Sequence, residues 1–168
     1  MNWKSLAGRK GDKGGLYLFA RFEHEPPLGP ADPLEKCVVY IGQSYASFKS
    51  RWHLFYRGLN DPMEAKLNPE RYPRALRYMK LFGEDSPPPH VANLPWEQLK
   101  KAFLEPGSCP LLDMDIARYR SRYTTDDFLN ENQKLILGYF EQRLIMLYSC
   151  FYGKKPAIQE NKGDNLVT

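Results

Sequence analysis

The sequence predicts an α+β fold: a small, mostly antiparallel three-stranded sheet flanked by helices, with a helical insertion over about residues 60–108. Three observations carry that expectation. Two runs, 16–22 and 36–42, are rich in aromatic and aliphatic residues and are joined by a proline-rich stretch, as in an antiparallel hairpin with an enlarged tip. Apolar residues then switch to helical spacing, with Phe48, Trp52, Phe55 and Leu59 at i, i+4, i+7 and i+11. Residues 111–119 place Leu112, Met114 and Ile116 on one side and Asp113 and Asp115 on the other, the alternation of a third strand.

Taken in order, residues 1–14 carry Lys4, Arg9, Lys10 and Lys13 among glycines and read as a loose basic arm ahead of a single domain over 15–168. Pro26, Pro27, Pro30 and Pro33 exclude a regular element between the first two strands, and Gly42 ends the second at a tight turn. The first helix covers 47–59. A second, about 69–82, aligns Tyr72, Leu76, Met79 and Phe82, and Pro87, Pro88 and Pro89 interrupt the chain after it. Residues 96–104 form a short third helix stopped by Pro106 and Gly107. Thr125, Asp126 and Asp127 suit the start of one long helix that runs to about Phe151, with Gly153 as its stop. The tail, 154–168, is polar and loop-like.

The chain has 168 residues, 24 Lys and Arg against 20 Asp and Glu, and a formal net charge of +4. A domain of that length removes about 70% of its unfolded surface from water. Its 42% hydrophobic and 14% aromatic residues exclude an intrinsically disordered chain. No apolar stretch approaches the roughly 20 residues of a membrane span, and residues 1–15 lack the apolar core of a secretory signal. Cys37, Cys109 and Cys150 are scattered and odd in number, which argues against a disulfide scaffold or a thiolate zinc site and fits a cytoplasmic, reducing setting. The mild positive charge permits nucleic-acid binding without arguing for it.

Among the candidates for chemistry, Glu141 falls in a stripe with Leu137, Leu144 and Tyr148 on the long helix. A carboxylate there is costly to desolvate unless something pairs with it. It is either a boundary glutamate that reaches solvent or an arginine, or an oxygen ligand for Mg²⁺. Tyr17 and Tyr40 stand on the two strands of the hairpin, where ordinary sheet packing explains either one alone. Arg51, just inside the first helix, is by itself a surface charge.

Taken together, these residues resemble a known pattern. Gly15-Leu16-Tyr17 and Tyr40-Ile41-Gly42 are similar to the two strand words that name the GIY-YIG nuclease family. Gln43-Ser44 follows the second word, and Phe48-Lys49-Ser50-Arg51-Trp52 resembles the family's first helix with its arginine. Glu141-Gln142-Arg143-Leu144-Ile145 resembles its E-x-x-L-I helix, and Pro156 and Asn161 resemble the proline and asparagine that close the domain. The chain departs from the pattern in its 22-residue spacer between the tyrosines and in Phe55, which stands one turn after Arg51 where the family often has histidine. His53 would project differently, Asn165 competes with Asn161, and the insertion at 60–108 has no counterpart in a minimal member.

The resemblance implies an endonuclease that hydrolyses DNA to 5′-phosphate and 3′-hydroxyl ends. Glu141 would hold one Mg²⁺ or Mn²⁺, Arg51 would bind non-bridging phosphate oxygens, and Tyr17 would activate water with Tyr40 assisting. Asn161 would orient phosphate or brace the site. A free phenol has a pKa of about 10, so this role needs positive charge nearby. Grip on DNA would come from Arg71, Arg74, Arg77 and Lys80 at i, i+3, i+6 and i+9, and from the alternating Arg118, Arg120 and Arg122. Each row is otherwise a solvated amphipathic face. A restriction-type arrangement would make the chain a homodimer. The alternative is a non-catalytic nucleic-acid-binding module on the same scaffold.

Overall fold

Leu16, Leu18 and Ala20 alternate with Tyr17 and Phe19, and neither set is polar. A strand of that composition must be covered on both faces. In the computed structural model, which describes residues 2–6, 14–105 and 122–159, it is. The strands are β1 (Lys4–Ser5), β2 (Gly15–Ala20), β3 (Val38–Ser44) and β4 (His90–Pro95). They form one sheet in the order β1-β4-β2-β3, with every neighbouring pair antiparallel. The helices are α1 (Phe48–Asn60), α2 (Pro62–Leu67), α3 (Pro73–Phe82), α4 (Trp96–Leu104), α5 (Asp126–Glu131) and α6 (Gln133–Tyr152).

The alternation along β2 sorts the helices. Leu16 and Leu18 pack with Ile41, Ala92 and Leu94 beneath Leu137, Phe140 and Leu144 of α6 and Leu99 of α4. Tyr17 and Phe19 pack on the other face beneath Phe48, Trp52 and Phe55 of α1 and Tyr78 of α3. Thus α6 and α1 lie on opposite faces of one sheet. Lys100, buried on α4, bonds to Asp126 at 2.8 Å, and Trp96 Nε1 donates to Asn130 Oδ1 at 2.9 Å, tying α5 to α4.

The α+β architecture stands, with four strands among the described residues rather than three. The strand expected at 111–119 lies outside those residues. β4 instead arises inside the stretch read as helical insertion, between the proline run and α4. Val91 and Ala92 are both buried, on opposite faces, so the segment lacks the one-sided alternation that marks a strand. The helix expected over 69–82 begins at Pro73, whose missing N–H is harmless at the first helical position. The long helix breaks at Asn132, giving α5 and α6, while Thr125 caps α5 by accepting from the Phe128 N–H and Gly153 ends α6 in the left-handed region at φ 70°.

Residues 2–6 also depart from the expected loose arm. Lys4 pairs with Val91 and Ser5 with His90, and Trp3 and Leu6 are buried beside them. The Trp3 ring meets Phe22 edge-on at 5.2 Å. Apolar side chains at 3 and 6 outweigh the basic, glycine-rich context. Trp3→Ala is therefore expected to lower the unfolding free energy by about 3 kcal/mol, read by urea titration. A variant as stable as the parent would show this segment to be a passive edge.

Two free thiols, Cys37 and Cys150, are described, and Cys109 lies outside the described residues. Burial, reinforced by the neighbouring Glu35, pushes the Cys37 thiol up to about 12, so it is inert at neutral pH. Among the described residues, no helix is long and apolar enough to cross a membrane.

Candidate functional site

Register brings the two tyrosines together. In the β2–β3 pair Tyr17 lies opposite Gly42 and Phe19 opposite Tyr40, so Tyr17 and Tyr40 stand diagonally on the α1 face. Their ring centroids are 5.9 Å apart with the ring planes tilted by 37°. Gly42 makes this approach feasible. A Cβ there would fall 2.5 Å from Cε1 of Tyr40 and 2.8 Å from Cζ of Tyr17. The glycine therefore sits within β3 and makes room for the phenols, rather than ending the strand at a turn.

A bulge also shapes the pair. Phe19 pairs with Tyr40 but Ala20 pairs with Val38, which leaves Val39 as the extra residue. Bulges bend a strand and re-aim its side chains. The Val39 carbonyl accepts from the Ile158 N–H at 2.9 Å, and the Ile41 N–H donates to Gln159 Oε1 at 3.0 Å. The segment after α6 thereby covers the edge of β3. Ile158 is fully buried there.

From above, Ser47 caps α1 by accepting from the Lys49 N–H, and the helix carries Arg51 outward beside the buried Trp52. Trp52 and Phe48 stack at 4.9 Å, and both meet Tyr17 edge-on at 6.0 Å. Phe55 stacks on Phe19 at 4.7 Å and is core, while His53 is exposed. Arg74 arrives from the first turn of α3, with its guanidinium carbon 4.9 Å from the centre of the Tyr40 ring. Arg51, Arg71, Arg74 and Glu70 line an open cleft between α1 and α3, with Phe55 and Tyr72.

Electrostatics at Tyr17 is a contest. Burial dominates and raises the phenol pKa well above its ordinary value, and the neighbouring Tyr40 raises it further. Arg74 and then Arg51 pull it down without winning. Tyr17, only 1% exposed, is thus a neutral phenol at neutral pH.

Glu141 occupies the other face. Gln133 Nε2 donates to the Tyr45 carbonyl at 3.2 Å and Tyr148 Oη to the Lys36 carbonyl at 3.2 Å, so α6 runs antiparallel to β3. Midway between these anchors stand residues 140–141 of the helix and 40–41 of the strand. Glu141 is therefore level with Tyr40, with the edge strand between them. It shares its side of α6 with the buried Leu137, Leu144 and Tyr148 yet is itself only half-buried. Its carboxylate is the oxygen donor expected to hold the metal. Mg²⁺ accepts such a set because it keeps several waters and takes one or two carboxylates plus substrate phosphate. Among the described residues no three His, Cys, Asp or Glu converge as an all-protein cage.

Structure thus brings together Tyr17, Tyr40 and Arg51, and it adds Arg74, which the sequence assigned to a distant basic row. That row is fanned. A three-residue step turns back by about 60° on an α-helix, so Arg74, Arg77 and Lys80 do not share one face. Arg71 precedes α3 and lies over Tyr72 at 5.6 Å, Arg77 Nη1 donates to the Gln159 carbonyl at 3.0 Å, and Lys80 is exposed. Asn161, Asn165, Arg118 and Arg120 lie outside the described residues, and Arg122 is exposed beside Tyr123. No periodicity could have found the place of Arg74, since it depends on how α3 crosses the sheet.

The fold is an antiparallel sheet with helices on both faces, and the site is a phenol pair beneath two arginines. Comparisons of the chain with family models, with curated proteins and with solved structures find no match.

Proposed function

We propose that the chain is a metal-dependent endonuclease with a GIY-YIG-like core, hydrolysing DNA phosphodiester bonds to 5′-phosphate and 3′-hydroxyl ends in a cytoplasmic setting. The observation that carries this reading is the close Tyr17–Tyr40 ring pair flanked by Arg51 and Arg74. Two guanidiniums lining an open cleft, one of them over the ring of Tyr40, suit a tetrahedral phosphate. Guanidiniums bind its non-bridging oxygens through paired N–H donors, and a phenol can hand on or accept a proton at the attacking water.

In this reading Arg51 orients the scissile phosphate, Tyr17 takes the water's proton, and Tyr40 holds Tyr17 in place. Glu141 is the residue that would hold Mg²⁺ or Mn²⁺, whose charge would stabilise the departing 3′-oxygen. Because Tyr17 is neutral at rest, it must first release its own proton to solvent, an ionisation that positive charge gathered in the loaded site would favour, before the phenolate accepts the water's proton. Asn161 would brace the phosphate, and Arg77, Lys80, Arg118 and Arg120 would contact the DNA backbone outside the reacting centre. A homodimer would set two such sites to cut both strands.

The raised Tyr17 pKa also suits the second reading, a nucleic-acid-binding module without catalysis. Incubation with supercoiled plasmid separates the two. The endonuclease is expected to nick plasmid in Mg²⁺ and not in EDTA, leaving ends that ligase reseals without end repair. Retention of DNA with no cleavage in Mg²⁺ or Mn²⁺ would establish the binding module instead.

A further inference from the structure

We propose that the cleft between α1 and α3 is an oxyanion-binding subsite in which Arg74, with Arg51 and Arg71, holds a nucleic-acid phosphate beside Tyr40. This rests on the nuclease reading only in its choice of ligand. Arg51 reaches the cleft from α1, Arg71 from the residue before Tyr72, and Arg74 from the first turn of α3. Glu70 is the single carboxylate among its lining residues. Three guanidiniums against one carboxylate give a cavity that favours an anion.

Two of the three lie over aromatic rings. Arg74 lies 4.9 Å from the Tyr40 ring centre and Arg71 5.6 Å from that of Tyr72. Tyr72 is in turn fixed, being buried and donating to Glu64 Oε1 at 2.8 Å. Stacking engages the face of a guanidinium, whereas a phosphate is bound through its edge, so one side chain does both. A cation already held in place loses less freedom on binding. Arg57 pairs with Glu64 at 3.0 Å, and Arg77 holds the Gln159 carbonyl.

The position beside Tyr40 separates Arg74 from a general backbone contact. Tyr40 is 5% exposed and borders Tyr17, so an oxyanion on Arg74 would lie next to the reacting phenols. The helix that supplies Arg74 belongs to the inserted region, so the insertion would furnish part of the site.

The test measures binding without turnover. Anisotropy of a short labelled duplex is followed in EDTA across a salt series, with inorganic phosphate as competitor and with duplexes carrying either 5′-phosphate or 5′-hydroxyl ends. Arg74→Gln and Arg71→Gln are each expected to weaken binding by about tenfold or more and to reduce the salt slope by about one. Arg74→Lys should recover the slope but not the affinity, since it lacks the fork. Lys101→Gln, on α4, should match the parent. Equal affinity for both end types identifies the phosphodiester, and phosphate should compete with the parent better than with Arg74→Gln. Unchanged affinity and slope in both glutamine variants would overturn the subsite. So would phosphate binding without DNA binding, or preference for 5′-phosphate ends, because either assigns the cleft to a free or terminal phosphate. If the parent binds DNA through Arg74 yet never cleaves it in Mg²⁺, the subsite stands and the nuclease reading falls. Cleavage with Arg74→Gln indistinguishable from the parent gives the reverse.

Discussion

Tyr17→Phe is expected to abolish plasmid cleavage, by about 10²- to 10⁴-fold in kcat, while leaving the fold intact. The substitution removes one oxygen from a ring whose contacts with Phe48, Trp52 and Tyr40 are otherwise aromatic. A buried hydroxyl contributes little net stability, so a small change is expected in urea at neutral pH. Alkaline stability gives an independent readout. Burial raises the folded-state pKa of Tyr17 above its unfolded value. The neutral phenol therefore contributes fully below about pH 10, and that contribution is lost as pH rises through the folded value. Tyr17→Phe should flatten part of this alkaline decline, and Tyr78 and Tyr148, also raised by burial, should retain theirs. Cleavage by the parent should increase with pH across the neutral range, because the reactive form is the ionised one. A variant that keeps a tenth or more of the parental rate would reduce Tyr17 to a packing residue.

How much of this site could be read in the sequence follows from the range of the interactions involved. Gly15-Leu16-Tyr17 and Tyr40-Ile41-Gly42 were legible because strand alternation is local, and alternation alone puts Tyr17 on the face opposite Leu16 and Leu18. Residues 96–104 were legible for a similar reason, since the Pro106-Gly107 stop is a local signal. The bulge at Val39 was not. It depends on the Ile158 N–H, more than a hundred residues away, which gives the extra carbonyl a partner. β4 was hidden because burial on both faces removes the polar half of the pattern, and the prolines around it suggested a break. Trp3 was hidden by its neighbours. One large apolar side chain among lysines and glycines has no period, and only the free edge of β4 gives it a place. For Arg74 the sequence supplied the charge but not the address, since the cation's role depends on a ring contributed by a strand more than thirty residues earlier.

The second large effect is expected at Glu141. Glu141→Gln keeps the shape of the side chain and removes its charge. If the carboxylate holds the metal, cleavage should fall by about 10³-fold, the equivalent of several kcal/mol of transition-state charge stabilisation. Raising the Mg²⁺ concentration should recover part of the loss. Stability separates this from a structural role. The carboxylate lies on the buried side of α6, level with Tyr40 and between Leu137 and Leu144. There an amide costs less to desolvate than a charge, so if metal binding is the carboxylate's main role the metal-free variant should be at least as stable as the parent. A boundary glutamate that mainly serves an ion pair predicts the opposite, a loss of stability with cleavage preserved. Metal linkage adds a third measure, because a ligand that binds only the folded state raises its melting temperature with concentration. Mg²⁺ should raise the Tm of the parent and leave that of Glu141→Gln unchanged. Equal shifts in the two proteins, with equal cleavage, would remove Glu141 from the site. The chemistry would then rest on the tyrosine–arginine face alone, and β3 would separate that face from a carboxylate with no part in it.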